Sequence, residues 1–170
     1  SDDMIFKKKD PDQLGFVNYK YAQLYNGIPV RGAEYILHEV DGKCVSGNGK
    51  LITNLSLSVI PSITADEAVQ SAIGYVNAEK YLWDDEVAEQ NLKLEKNDLN
   101  ATYYPIAELI IADKKCSGKA PNYKLAYKVN VYATKPLSHQ YVFVDAISGE
   151  ILFTENRIMT TDVQGTAVTK

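Results

Sequence analysis

The sequence predicts an α+β fold in which one amphipathic helix packs on antiparallel β-sheet. Three observations lead to this prediction. Apolar and aromatic residues alternate with a period of two in several separate segments, which is typical of strands with one buried face. The turn dipeptides Asn26-Gly27 and Asp41-Gly42 join neighbouring segments as tight hairpins do. One segment instead repeats its apolar residues at helical spacing, and such a helix must bury its apolar stripe on the sheet.

The N-terminal third of the chain is predicted to be an antiparallel meander that follows a flexible segment. Residues 1–15 are polar, and chain ends of this kind are commonly frayed, so they form the predicted flexible N-terminal segment. The meander is expected at residues 16–58, with strands within residues 16–25, 33–38 and 44–52.

A single helix is predicted in the middle of the chain. Thr64 and Glu67 have the spacing of a capping box at its first turn. The helix is expected to end near residues 78–81, and the acidic segment 83–91 is expected to be a connection. The apolar stripe consists of Ala65, Ala68, Val69, Ala72, Ile73 and Val76.

Further strands are predicted in the C-terminal half, near residues 104–112, 123–132, 140–145 and 150–153. Between the last two of these strands, Asp145 is expected to cap a turn with its own side chain. Gly149 is expected to supply the positive φ that such a turn requires.

Composition and motifs argue against most kinds of chemistry. Eighteen Lys+Arg against 22 Asp+Glu give a net charge of −4, and there is no basic block, so nucleic-acid binding is not expected. No apolar run approaches the roughly 20 residues of a membrane-spanning helix. The segment His38–Gly42 departs from the HExxH zinc motif at its fifth residue and lies in a predicted hairpin. His139 has no recognisable nucleophile partner. The chain is therefore expected to act through a surface.

The two cysteines, Cys44 and Cys116, leave two interpretations open. A zinc site is not indicated, because the chain has no CxxC and only two histidines. One disulfide is conceivable in a secreted protein. Two unpaired, buried thiols are the default expectation.

The stretch at residues 21–33 resembles a known propeptide element. Members of the fungalysin/thermolysin propeptide family carry a pattern close to Tyr-x-Gln-x-Tyr-x-Gly-Ile-Pro-Val-x-Gly-Ala. The residues that occupy those places here are Tyr21, Gln23, Tyr25, Gly27, Ile28, Pro29, Val30, Gly32 and Ala33.

The second half of the chain resembles a PepSY domain, the usual companion of that element. The resemblance lies in the helix start at residues 63–73 and the closing hairpin at residues 140–153. Residues 156–170 resemble the junction between propeptide and mature enzyme in thermolysin-like metalloproteases. The resemblance implies two small cystatin-like modules, at residues 16–58 and 62–155, followed by a processing junction and a stub of the mature enzyme.

The resemblance implies that the chain is the non-catalytic propeptide of a secreted thermolysin-like zinc metalloprotease, the part of the zymogen that inhibits the catalytic domain and assists its folding. The implied partner is its own catalytic domain, which is expected to hold the zinc and calcium, so no cofactor is expected in this chain. A monomer without nucleic acid or a membrane span is expected. The signal peptide is not present in this sequence, and the N-terminal side is short for the family.

Two groups of site residues follow from the resemblance. Such enzymes favour a bulky apolar residue after the cut, which points to the Arg157–Ile158 bond, whereas alignment of mature starts points to Thr160–Thr161; Met159 lies between them. Contacts with the protease are expected from the hairpin and from the segment after Phe153, which should run through the active-site cleft. The expected contact residues are Tyr25, Asn26, Gly27, Ile28, Pro29, Val30, Glu155 and Asn156. Whether the hairpin contacts the enzyme or stabilises the first module stays open.

Two other classes of function remain as alternatives. A free-standing cystatin-like or PepSY protease inhibitor, or an extracellular binding module, would have no enzyme downstream, and the stub at residues 156–170 argues against it. A carrier of small ligands would need a wide apolar pocket between helix and sheet. The small residues Ala65, Ala68 and Ala72 instead predict close packing.

Overall fold

The structure, a computed structural model, describes residues 2–114 and 122–158. This part of the chain contains nine strands and two α-helices. The helices are α1 (Ala65–Val76) and α2 (Glu86–Lys96), and a 3-10 turn at Leu82–Asp84 precedes α2. The strands are β1 (Asp2–Pro11), β2 (Val17–Tyr25), β3 (Ile28–Val40), β4 (Lys43–Gly49), β5 (Lys80–Tyr81), β6 (Ala107–Asp113), β7 (Tyr123–Lys135), β8 (Leu137–Asp145) and β9 (Ile151–Asn156).

The strands form one sheet whose main path runs β1-β2-β3-β6-β7-β8-β9, with β4 paired to β3 and β5 to β7. Neighbours are antiparallel except β3 and β6, which pair in parallel through Val30 and Ile111. The predicted α+β class, an antiparallel sheet with a packed helix, is confirmed. The finer division into two cystatin-like modules stays a prediction, because the β3–β6 pair joins both halves of the chain.

Strand β1 lies where the sequence predicted a flexible segment at residues 1–15, so that prediction is wrong for residues 2–11. β1 runs antiparallel to β2 along its whole length. The Phe6 ring packs against the rings of Tyr19 and Tyr21, with centroids 6.4 and 5.7 Å apart. A polar sequence can form a strand when a neighbouring strand supplies its hydrogen-bond partners, and local composition does not reveal that neighbour.

Helix α1 begins with the predicted capping box. The Thr64 side chain accepts a hydrogen bond from the Glu67 amide at 3.2 Å, and the Glu67 carboxylate accepts one from the Thr64 amide at 2.7 Å. The helix ends at Val76, before the predicted residues 78–81, because Asn77 takes a left-handed conformation with φ 45°. The chain then pairs as β5 with β7 instead of continuing the helix.

Helix α2 occupies part of the segment 83–91, which the sequence predicted to be a connection. Asp85 caps it, accepting hydrogen bonds from the amides of Val87 and Ala88. The helix has no buried residue, so no wide apolar stripe marked it in the sequence. The prediction missed α2 because its signal lies in the capping residue alone.

The central strands β6–β8 are buried on both faces. On one face, Ala68, Val69 and Ala72 of α1 pack on a large core that also contains Ile111, Leu125, Val129, Val131, Val142 and Val144. On the opposite face lies a smaller core of Ile110, Ala112, Ala126 and Phe143, against which Tyr141, Leu152 and Phe153 pack. This second, aromatic face positions the site described below.

Cys44 is exposed on β4, so the default expectation of two buried thiols is wrong for this residue. Every residue of β4 is exposed, because the strand pairs with β3 beside the main path of the sheet. Cys116 lies outside the described residues.

Candidate functional site

The described part of the predicted processing junction, residues 156–158, lies at the C-terminal edge of the sheet. Strand β9 is the last strand of the described path and pairs antiparallel with β8, with Glu155 opposite Tyr141 and Asn156 opposite Gln140. Within the part of the chain that the structure describes, β9 therefore has a strand neighbour on one side. An edge of this kind can accept a further extended segment through backbone hydrogen bonds.

Strand β3 reaches this edge through one side chain. The guanidinium of Arg31 forms an ion pair and hydrogen bond with the Glu155 carboxylate, and each side chain keeps 33% of its surface exposed. The same guanidinium lies 5.2 Å from the ring centroid of Phe143 and 5.4 Å from that of Phe153. These two rings stack with centroids 4.2 Å apart. The N-terminal and C-terminal thirds of the chain thus meet beside the junction.

A cleft lies between β3 and the aromatic face of the sheet. Its volume is about 540 Å³, and Arg31 and Glu155 lie in its wall. Charged side chains of both signs surround it, from Lys7, Glu34, Glu108 and Lys128. The Lys128 ammonium lies 3.0 Å from Glu108 and 4.4 Å from the ring centroid of Tyr141. The cleft is therefore polar at its rim and aromatic at its floor.

The chain leaves the sheet immediately after β9. The amide of Arg157 donates a hydrogen bond to the carbonyl of His139 at 2.7 Å, and the Arg157 guanidinium lies 4.8 Å from the Tyr141 ring. The amide of Ile158 then donates to the side chain of Asn156 at 2.9 Å. The Arg157–Ile158 bond thus lies at the margin of the sheet. The other predicted processing residues, Met159, Thr160 and Thr161, lie outside the described residues.

His139 lies beside this exit. Its ring stacks on Tyr132 with centroids 4.7 Å apart, and Nε2 lies 2.8 Å from Oδ1 of Asn130. Burial lowers the pKa of His139, and the positive charge of Arg157 lowers this pKa further. The neutral imidazole is therefore the form that the folded protein favours.

We expect acidification to destabilise the protein through His139. Because the pKa is lower in the folded state, the unfolded state binds more protons as the pH falls through about 6.5. The free energy of unfolding should fall across this range and level off below the folded-state pKa. Urea unfolding at a series of pH values should show a flatter profile between about pH 5 and 7 for His139→Gln. A pH profile for His139→Gln that keeps the slope of the unchanged protein would contradict the assignment.

The predicted contact hairpin is divided by the structure into exposed and buried residues. Asn26 and Gly27 form its turn with φ of 47° and 83°. These two residues and Pro29 are exposed, whereas Tyr25 and Ile28 are partly buried against the main core. Val30 is 3% exposed, so its side chain cannot contact a partner in this conformation. Its place among the contact candidates is wrong, because a bulge in β3 turns it inward.

Gln23 is a residue whose role the sequence did not reveal. Gln23 is 3% exposed, and its side-chain amide makes the pair of hydrogen bonds to Ile52 that the backbone of a neighbouring strand would otherwise make. Nε2 donates to the carbonyl of Ile52 at 2.7 Å, and Oε1 accepts from the amide of Ile52 at 2.8 Å. The signal that could have found it is a glutamine fixed within a motif of apolar residues. This pair holds the chain after β4 against β2.

We expect Gln23→Leu to lower the free energy of unfolding by about 2 kcal/mol, because the buried amide and carbonyl of Ile52 both lose their partner. Urea denaturation measures the change. Gln90→Leu, at an exposed position on α2, is the matched control and should change stability by about 0.5 kcal/mol or less. Equal losses in the two variants would show that the buried hydrogen bonds contribute nothing specific.

The turn between β8 and β9 is organised around Asp145. Its side chain is 4% exposed; Oδ2 lies 2.6 Å from the Lys124 ammonium, and Oδ1 accepts from the amides of Ile147 at 2.9 Å and Ser148 at 3.3 Å. Gly149 follows with φ 76°. Burial alone would raise the pKa of Asp145, but the ammonium and the two amides outweigh it and hold the pKa below its usual range. This turn fixes where β9 begins.

Among the residues that the structure describes, no three or more His, Cys, Asp or Glu side chains are grouped so that they could hold a metal ion. In the same residues, no helix is both long and apolar enough to cross a bilayer.

Comparison with known proteins gives one family match and several relatives. Residues 2–51 match the family described as Fungalysin/Thermolysin Propeptide Motif. The chain is similar to thermolysin of Alicyclobacillus acidocaldarius subsp. acidocaldarius, with 29% identity over 145 residues, 85% of this chain and 24% of that protein. It is also similar to bacillolysin of Bacillus amyloliquefaciens, with 26% identity over 162 residues, 93% of this chain and 28% of that protein.

A comparison of solved structures includes one alignment with low sequence identity. The aligned structure is the Bacillus megaterium YpeB C-terminal domain, with a TM-score of 0.44 and 12% identity over 90% of this chain and 56% of that chain. The chain spans about a quarter of the length of the curated relatives it matches. The predicted resemblance to the fungalysin/thermolysin propeptide is confirmed by the motif at residues 2–51 and by these relatives, whereas the resemblance of the second half to a PepSY domain stays a prediction.

Proposed function

We propose that this chain, which the matches identify as a propeptide of the thermolysin-like protease type, inhibits the catalytic domain of its precursor and assists the folding of that domain. The motif at residues 2–51 is a propeptide motif, so the chain is the non-catalytic part of such a precursor. Zinc and calcium belong to the catalytic domain of a thermolysin-like protease. The proposal extends to secretion and to a monomeric chain that binds no nucleic acid.

The observation that supports inhibition best is the exit of the chain from an edge strand. β9 ends at Asn156, and the chain departs through Arg157 and Ile158 beside an edge that has no second strand among the described residues. A segment that leaves in extended form can continue into the substrate cleft of a protease, since proteases bind substrates as extended strands. Covalent linkage raises its local concentration to roughly the millimolar range, so weak contacts suffice before processing.

The geometry also bears on the cleavage bond. Cutting at Arg157–Ile158 requires the chain on both sides to lie extended in the enzyme. The Arg157 amide would then release the His139 carbonyl, and the Ile158 amide would release Asn156. A cut nearer Thr160–Thr161 leaves these contacts in place. We therefore propose a cut within residues 157–161, and of the two candidate bonds only Arg157–Ile158 requires release of this margin from β8.

Assistance in folding follows from the same complementarity. A large protease domain rich in non-local contacts folds slowly, and intermediates of such domains aggregate. A surface that binds the native arrangement before the folding barrier is crossed would lower that barrier. We infer that this surface combines the PepSY-like module at residues 62–155 with the exposed hairpin of the N-terminal motif. The contact candidates are Glu155 and Asn156 at the end of β9 and the exposed hairpin residues Asn26, Gly27 and Pro29.

The test is inhibition in trans of the catalytic domain of the same precursor by the purified chain. Truncation after Asn156 keeps β9 but removes the exit segment, and we expect it to weaken inhibition by about tenfold or more, which corresponds to about 1.4 kcal/mol of binding free energy. Lys8→Glu, on the opposite edge of the sheet, is the control and should inhibit like the unchanged chain. Refolding yield of the denatured catalytic domain, with and without the chain, tests the second role. If the chain neither inhibits the catalytic domain nor raises its refolding yield, the proposal is overturned.

A further inference from the structure

The propeptide motif contains a bulge whose effect is to aim one side chain. In the β2–β3 register, Ala22 pairs with Glu34 and Leu24 pairs with Pro29. The four residues 30–33 of β3 therefore face the single residue Gln23 of β2. Gly32 supplies the positive φ, 75°, that this bulge contains. A bulge bends its strand and re-aims side chains, and it breaks the alternation of inward and outward residues.

Within the bulge, Val30 and Ala33 point into the core, whereas Arg31 points toward strands of the second half of the chain. Val30 and Ala33 are 3% and 0% exposed and belong to the main core. Arg31, between them, is directed to β8 and β9 on the opposite, aromatic face. In the described residues, the strand pairing that joins strands β1–β4 to strands β5–β9 is the Val30–Ile111 pair of β3 and β6. The contacts of Arg31 with β8 and β9 thus form a second connection, or tie, between β3 and the second half of the chain.

The chemistry of this tie suits arginine. Phe143 is 0% exposed and Phe153 covers it, which gives a flat, fixed surface for a planar guanidinium. The carboxylate of Glu155 lies at the edge of the same surface and pairs with the guanidinium. Both side chains are two-thirds shielded from water, so solvent screens the pair less than a fully exposed one. Lysine would keep the charge but lose the planar stacking.

We propose that Arg31 is a positioning residue: it holds β9 through Glu155 and the stacked phenylalanines, and thereby sets the path along which the chain leaves at Arg157. Glu155 precedes Arg157 by two residues, and an antiparallel strand places both on the same face of the sheet. The Arg157 amide bonds to β8 one position beyond the last pair of β9. Through Arg31, the N-terminal motif then acts on the junction from within this chain, whether or not its hairpin contacts the protease. This inference rests on the proposed function where inhibition is concerned, but its structural part concerns this chain alone.

Charge reversal tests the tie. In the full chain we compare Arg31→Glu, Glu155→Arg and the double variant that restores opposite charges in exchanged places. The measurement is hydrogen exchange of the Arg157 amide and of the β9 amides, with β7 amides as the internal reference for global unfolding. We expect each single reversal to accelerate exchange at Arg157 by about tenfold relative to β7, and the double variant to restore most of the protection. Arg31→Lys should retain part of the protection of the Arg157 amide, because it keeps the charge but loses the planar stacking.

Two outcomes would contradict the inference. Equal acceleration of β7 and β9 would reduce Arg31 to a general stabilising residue and overturn it, as would a double variant without recovery. Lys8→Glu, which reverses a charge in the exposed pair with Asp10, should leave β9 exchange unchanged. The same variants are then assayed for inhibition, where the single reversals should weaken it and the double variant recover it. If the unchanged chain does not inhibit, the proposed function fails while the exchange data still judge the tie.

Discussion

Phe143→Ala is expected to lower the free energy of unfolding by about 4 kcal/mol, because the substitution removes a fully buried ring and leaves a cavity. Phe143 lies in the second core with Ile110, Ala112 and Ala126, and its ring stacks on Phe153 at 4.2 Å. The small neighbours cannot move far enough to fill the space, since they belong to paired strands. Urea unfolding with an unchanged m-value would measure the loss.

The control for this prediction is Phe6→Ala. Phe6 is 51% exposed on β1 and touches Tyr19 and Tyr21 at its sides. Removing this ring leaves no buried cavity, so the free energy of unfolding should fall by about 1 kcal/mol or less. Comparable losses for the two phenylalanines would contradict the assignment of Phe143 to a closely packed second core.

Asp145→Asn is expected to cost about 2 to 3 kcal/mol at neutral pH, the range for hydrogen bonds to a charged group. The Lys124 ammonium now donates a hydrogen bond to the Asp145 carboxylate at 2.6 Å. Asparagine has the same shape, but its amide nitrogen would direct a second donor at that ammonium. The hydrogen bonds from the amides of Ile147 and Ser148 would weaken with the lost charge. The turn that starts β9 should loosen as a result.

The pH dependence of this prediction has a definite sign. The pKa of Asp145 is lower in the folded protein, where the hydrogen bonds to the carboxylate outweigh the effect of burial. The advantage of aspartate over asparagine is therefore complete above the unfolded pKa of about 3.9 and disappears as the pH falls through the lower folded value. Unfolding of both proteins between pH 7 and 2 should show their stabilities converging. A difference between the two proteins that stays constant over this pH range would refute the charge-based explanation.

Local patterns predicted the elements whose signal is contained in neighbouring residues. The Asn26-Gly27 turn requires two positive φ angles, and the capping box of α1 lies within four residues, so each is readable from a short stretch. The alternation in residues 123–131 predicted β7 because both strand faces are defined by packing at period two. Helix α2 and strand β1 escaped because neither buries an apolar stripe of its own.

The candidate site residues stay a prediction, but the structure shows where several of them lie. The sequence placed Glu155, Asn156 and Arg157 in a segment after the last strand, whereas β9 extends to Asn156 and Arg157 follows it directly. It also placed Val30 among contact residues, although the bulge in β3 buries it. Arg31 occupied a variable position of the motif and gave no signal, since its partners are 112 to 124 residues away in the chain.

By itself, the sequence determined the fold class, the hairpin turns, the helix start and the kinship with a propeptide, because all of these depend on residue type and spacing over short distances. The tertiary structure decided which strands are neighbours, that Gln23 pairs with Ile52, and that Arg31 reaches Glu155. The physical reason is that a side chain's partners across a sheet depend on strand order and on the direction set by a bulge. Both are properties of the assembled sheet, in which residues distant along the chain come into contact.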